Sequence, residues 1–90
     1  MGWRVAFKPS AAKAFGKLEP AIQQRLQAAL NLLVAEMSEH RRPVRVDVAK
    51  LKGRPGEYRL KVPGWRVIFH LQHDQLVVLV LEVGNRGEIY

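Results

Sequence analysis

The chain has 90 residues, 48% apolar and 26% charged, with no cysteine. This composition fits one folded domain spanning residues 1–90 and excludes disulfides, thiolate catalysis and cysteine-bound zinc. No apolar run approaches the roughly 18 residues of a membrane span, the opening residues lack a signal-peptide pattern, and a net charge of +7 points to a polyanionic partner.

Trp3-Arg4-Val5-Ala6-Phe7 alternates apolar with small or charged residues and predicts a half-buried strand. Pro9-Ser10 ends it, with Ser10 placed to cap a short helix over 11–17. Glu19-Pro20 restarts the chain as an N-cap followed by proline at the first helical position. Ile22, Leu26, Leu30, Leu33 and Met37 then recur at three- and four-residue steps, opposite Gln23, Gln24, Gln27 and Asn31, which predicts an amphipathic helix over 20–38. Residues 44–56 read as basic and irregular, with Gly53-Arg54-Pro55-Gly56 as a loop. The period then becomes two. Strands are expected over 57–62 and 65–72, joined by Pro63-Gly64, and an almost uninterrupted Val/Leu run over 76–83 reads as a central strand covered on both faces. The order β-α-α-β-β-β, with the helices on one side of a mainly antiparallel sheet, is an α+β fold.

The charge is concentrated. Residues 41–66 hold nine cations against Asp47 and Glu57, and the rest of the chain carries six of each sign. The two-residue turn sets Val62 opposite Trp65, Lys61 opposite Arg66 and Glu57 opposite His70. Opposed residues share a face, so Tyr58, Leu60, Val62, Trp65, Val67, Phe69 and Leu71 pack on the helices while Arg59, Lys61 and Arg66 gather on the other side. Like charges directly opposite are unfavourable in a sheet, which makes sense where a phosphate sits on them, although long side chains also splay into water at little cost. Cations crowded together release protons more readily. Lys61 is therefore the candidate base, while arginines stay charged and clamp phosphate oxygens. Lys50, Lys52 and Arg54 are candidates for the nucleic-acid backbone. His70 falls roughly 13 Å along the strand from Arg66 and is a reserve candidate, more simply a partner for Glu57. Trp3 and Trp65 read as core, and His40 and His73 as solvated loop residues.

Lys50-Leu51-Lys52-Gly53, Tyr58-Arg59-Leu60-Lys61-Val62, Gly64-Trp65-Arg66-Val67-Ile68-Phe69 and Gly84-Asn85-Arg86 with a late Tyr90 resemble the RelE/ParE superfamily of type II toxin–antitoxin pairs. The resemblance implies a RelE-type toxin that cuts mRNA on the ribosome in the cytoplasm, without metal or other cofactor. It implies attack of the ribose 2′-OH on the adjacent 3′ phosphate, giving a 2′,3′-cyclic phosphate and a 5′-OH. The implied active site is Arg59, Lys61, Arg66, Arg86 and Tyr90. Lys61 would be the base, Arg59 and Arg66 would stabilise charge, Arg86 would stabilise charge or act as acid, and Tyr90 would stack on or orient a base. The implied partners are mRNA, the ribosome and a cognate antitoxin, with a toxin–antitoxin heterotetramer as one assembly, and no membrane. Related toxins commonly carry lysine where Arg59 stands, and the chain stops at Tyr90 with a short spacing from Arg86. Two readings compete. One is a ParE-type poison of DNA gyrase, and the other a decayed member that only binds RNA or antitoxin.

Overall fold

Two prolines set the starts of the helices. In the computed structural model, which describes residues 2–85, strand β1 (Arg4–Phe7) leads into helix α1 (Pro9–Gly16). The N-cap of α1 is Lys8 rather than Ser10. Proline has no N–H to lose at the first helical position, so the helix begins at Pro9 and takes Ser10 into its first turn. Helix α2 (Pro20–His40) starts from Glu19 and Pro20 as expected but runs two residues further than the apolar periodicity. It stops where Arg41 turns left-handed at φ 61° and donates its N–H to the Met37 carbonyl. Leu26, Leu30, Leu33 and Met37 are its buried apolar face.

Four strands follow: β2 (Asp47–Lys50), β3 (Glu57–Val62), β4 (Trp65–Gln72) and β5 (Val77–Asn85). The sheet order is β1-β5-β4-β3-β2, with β1 parallel to β5 and every other pair antiparallel. The α+β class stands, with one strand more than the sequence pattern suggested. β2 lies inside the stretch read as irregular, and its pairing of Val48 with Leu60 and Asp47 with Lys61 makes it an edge of the sheet. The β3–β4 register is the expected one at every position, from Glu57↔His70 to Val62↔Trp65.

Leu60, Val62, Val67, Phe69 and Leu71 face the helices and are buried there with Leu26, Leu30, Leu33, Met37, Val78 and Val80. Tyr58 and Trp65 pack against this core, and the Tyr58 ring stacks on Phe69 with centroids 5.7 Å apart. Both helices lie on that side, so among the described residues the opposite face carries no second layer. The expectation that the last strand is covered on both faces is corrected accordingly. β5 is internal because β1 and β4 flank it, but Leu79 and Leu81 remain half-buried. Leu76 is not part of the strand: it turns at φ 57° just before it.

β5 also carries a bulge. Ile68 pairs with Glu82 and Phe69 with Val80, which leaves Leu81 without a partner in the ladder. An extra residue exchanges the faces beyond it. Val80 therefore points to the core while Glu82 and Gly84 lie on the open face, beside Ile68 and Arg66.

The left-handed glycines give a first prediction. Gly56 (φ 77°) and Gly64 (φ 78°) both sit where an L side chain is strained, and a Cβ on Gly56 would also lie 2.7 Å from Nε2 of His70, while one on Gly64 meets nothing within 4 Å. Left-handed backbone costs about 1–2 kcal/mol for alanine. Gly64→Ala should lose about that much in chemical denaturation, and Gly56→Ala more, because it must also displace the His70 ring.

Candidate active site

The turn that bears the candidate site is fastened from two directions. Arg25 of α2 donates from Nη2 to the Pro63 carbonyl at 2.7 Å. Arg66 donates from Nη1 to the carbonyls of Val62 at 3.3 Å and Trp65 at 2.8 Å. Lys61 and Arg66 are directly opposite on the open face, about 5 Å apart at Cβ.

Arg66 is 4% exposed, so its side chain does not splay into water, the alternative to a phosphate-bound cluster. The residue across from it on β5 is Gly84, which has no side chain, so the guanidinium folds down onto the sheet. The bulge at Leu81 is what brings that glycine to this face. Lys61 is exposed and makes no ion pair among the described residues.

The cations do not stand alone. Asp47 lies directly across β2–β3 from Lys61 and turns its carboxylate toward Arg59, with Oδ1 3.3 Å from Nη2. Arg54 reaches from the β2–β3 loop to two carboxylates, Glu57 at 2.6 Å and Glu82 at 3.4 Å. Glu57 comes from β3 and Glu82 from β5, so Arg54 bridges over β4 between them. Ile68, between those strands, is 2% exposed on a face that no helix covers.

The other expected residues are scattered. Lys50 ends β2 opposite Tyr58, on the helix side of the sheet, and Lys52 is exposed in the following turn. Lys50 and Arg54 line one cavity over the β2–β3 loop, and Lys52 is not among its lining residues. Arg86 and Tyr90 lie outside the described residues. His70 stands across from Glu57 as expected, but the Glu57 carboxylate is paired with Arg54. Trp3 is buried at the far end of β1, its ring edge-on to His73 at 5.3 Å.

Sequence reasoning missed Asp47 and Glu82 as members of this face. Val44, Val46 and Val48 alternate with Arg45 and Asp47, and that period of two was the available signal for β2. It missed Glu36 as well. This carboxylate on α2 accepts the backbone N–H groups of Val44 at 2.8 Å, Arg45 at 2.9 Å and Val46 at 3.4 Å, and pairs with Nε of Arg45 at 3.4 Å. It thereby holds the segment that leads into β2.

The Val44 N–H, joined by Arg45 and Val46, holds the Glu36 carboxyl below its ordinary value against the opposing effect of burial. A lowered folded pKa means that the ionised form is favoured by folding. Its contribution is complete above the ordinary carboxylate range and lost as pH falls through the lowered folded value. The stability gap between wild type and Glu36→Gln, read by denaturant titration, should therefore be widest near neutral pH and narrow in acid below the ordinary range.

The comparisons with known proteins agree with this architecture. The family described as the ParE toxin of the type II toxin–antitoxin system parDE matches residues 5–90. A RelE-like toxin protein of Escherichia coli is 33% identical over 96% of this chain and 85% of its own length. The mRNA interferase toxin RelE of Escherichia coli K12 is 29% identical over 100% of this chain and 92% of its own. Among solved structures, the archaeal RelE–RelB complex from Pyrococcus horikoshii OT3 superposes with a TM-score of 0.73 at 26% identity, covering 98% of this chain and 99% of that one. The intact Escherichia coli RelBE toxin–antitoxin complex gives 0.71 at 27% identity, covering 92% and 95%. The chain thus belongs to the ParE toxin family of type II toxin–antitoxin systems, on the RelE-type side of the RelE/ParE superfamily.

Proposed function

We propose that this toxin is an mRNA interferase that cuts ribosome-bound mRNA in the cytoplasm. The observation that carries the reading is an exposed lysine, Lys61, facing a fixed guanidinium, Arg66, at the rim of an uncovered sheet face. Relatives named as mRNA interferases supply the substrate class.

In the proposed reaction Lys61, as the base, takes the proton of the ribose 2′-OH. The 2′ oxygen bonds to the adjacent phosphorus, and the bond from phosphorus to the 5′ oxygen breaks. That oxygen leaves with a proton from water, and Arg86 is the candidate that stabilises the charge gathering on it, since a guanidinium keeps its proton. Arg66 opposes the charge gathering on the phosphoryl oxygens, as preorganised donors do. Arg59 adds positive charge beside Lys61, Tyr90 stacks on or orients a base, and Lys50 and Lys52 hold the RNA backbone. Arg54 reaches that backbone only by exchanging its carboxylate partners for phosphate. No step passes through a metal ion, and among the described residues no three His, Asp or Glu side chains are grouped to hold one. The partner that silences the toxin is a cognate antitoxin, in assemblies up to a heterotetramer. The solved relatives include toxin–antitoxin complexes and isolated toxins.

A second reading, a DNA gyrase poison, is favoured by one observation: the matching family is described by its ParE members. Mapping of mRNA 5′ ends in a cell-free translation reaction separates the two. New ends that require both ribosomes and toxin support the interferase. Intact mRNA, with gyrase-dependent DNA breaks in a parallel reaction, supports the poison.

A further inference from the structure

The role of Asp47 follows from where Arg59 is found. Arg59 and Lys61 sit two residues apart on one face of β3, about 7 Å along the strand, and Lys61 directly faces Arg66. Long cationic side chains so crowded ordinarily swing into water. Arg59 does not. Its side chain is 21% exposed and its Nε is shielded from solvent, beside Ile68, the residue directly opposite on β4.

What holds it is the edge strand. Asp47 is directly across from Lys61, yet its carboxylate lies 3.3 Å from Nη2 of Arg59. It bonds diagonally along β3 and leaves the nearer lysine without an ion pair among the described residues. Glu57, also on β3, cannot take this part, because it is engaged by Arg54.

We propose that Asp47 is a positioning residue that holds Arg59 in place beside the Lys61–Arg66 pair. The functional consequence rests on the interferase reading above. A guanidinium already fixed before the phosphate arrives needs no rearrangement as charge develops, and preorganised charge of that kind acts on the transition state more than on binding. Asp47 itself touches no reacting atom. It acts through Arg59.

The test uses purified toxin as wild type, Asp47→Ala, Asp47→Glu, Arg59→Ala and the Asp47→Ala/Arg59→Ala double variant. The cleavage arm measures kcat and KM on ribosomes programmed with a defined mRNA. Asp47→Ala should lower kcat about tenfold with KM unchanged within about twofold. Asp47→Glu should restore most of the rate, and Asp47→Ala should have no further effect once Arg59 is gone. The second arm reads the tether without activity: the NMR order parameter of the Arg59 Nε–H bond should be high in wild type, fall in Asp47→Ala and recover in Asp47→Glu.

A lower KM with unchanged kcat in Asp47→Ala would show that Asp47 merely competes with phosphate, and would overturn the proposal. So would an equal loss in the presence and absence of Arg59, or an Arg59 order parameter indifferent to Asp47. A wild type that leaves mRNA intact while Arg59 loosens on loss of Asp47 would overturn the interferase reading and keep the tether.

Discussion

Lys61→Arg should cut the rate of mRNA cleavage on the ribosome by roughly 10²–10⁴-fold, the usual contribution of general acid–base catalysis, while mRNA binding changes little. The substitution keeps the positive charge and the exposed place opposite Arg66. It removes only the capacity to exist as a neutral amine, because a guanidinium is not deprotonated in proteins. Single-turnover cleavage with saturating toxin reads the chemical step. Lys61→Ala should fall at least as far, and it should also weaken binding, since it loses the charge as well as the base. If Lys61→Arg instead cuts at nearly the wild-type rate, the lysine acts through charge alone and the base must be sought elsewhere on the chain.

Phe69→Ala is expected to be the most damaging single change to stability. Phe69 is fully buried on β4, facing the helices, with Tyr58 stacked on it at 5.7 Å. Truncating a buried phenylalanine costs about 3–5 kcal/mol, against a total of about 5–15 kcal/mol for a small domain. At about 4–8 °C per kcal/mol for a chain this size, the melting temperature should fall by at least about 12 °C. Gln24→Ala, on the exposed side of α2, should stay within about 0.5 kcal/mol. A thermal melt of the two variants beside wild type checks both. A small shift for Phe69→Ala would mean that the sheet and α2 close over the vacated space.

The parts of the fold that were legible in the sequence are those set by local periodicity. Alternation plus a two-residue turn fixes a register, and every β3–β4 pair lies where that rule puts it. The apolar stripe of α2 was readable for the same reason. What escaped was set by contacts distant in sequence. β2 is four residues long, and its one valine, Val48, stands in a stretch where cations dominate the pattern. With β2 unseen, so was the carboxylate that it delivers beside Lys61. The Leu81 bulge has no local signature, yet it decides which face receives Glu82 and Gly84, and so why Arg66 can lie buried. Glu36 carries no local signal of its role. It is 3% exposed because the chain folds back over it and offers three N–H groups. The cation row was thus visible as charge, with Asp47 and Glu57 inside it, but which cation each anion meets was not, because pairing partners follow from tertiary placement. Arg86 and Tyr90, which came from the family resemblance, rest on that resemblance alone.

The chemistry of the cut ends tests the central claim most directly. Ribosome-bound mRNA labelled across the cleavage site would be treated with wild-type toxin in the presence of a metal chelator at a level that leaves the ribosomes intact, and both fragments analysed by mass spectrometry. Attack by the ribose 2′-OH, with the 5′ oxygen as leaving group, predicts a 2′,3′-cyclic phosphate on the upstream fragment and a 5′-hydroxyl on the downstream one. A 3′-hydroxyl facing a 5′-phosphate would contradict the account, because that pair of ends requires an external water as nucleophile and leaves Lys61 without a 2′-OH proton to take.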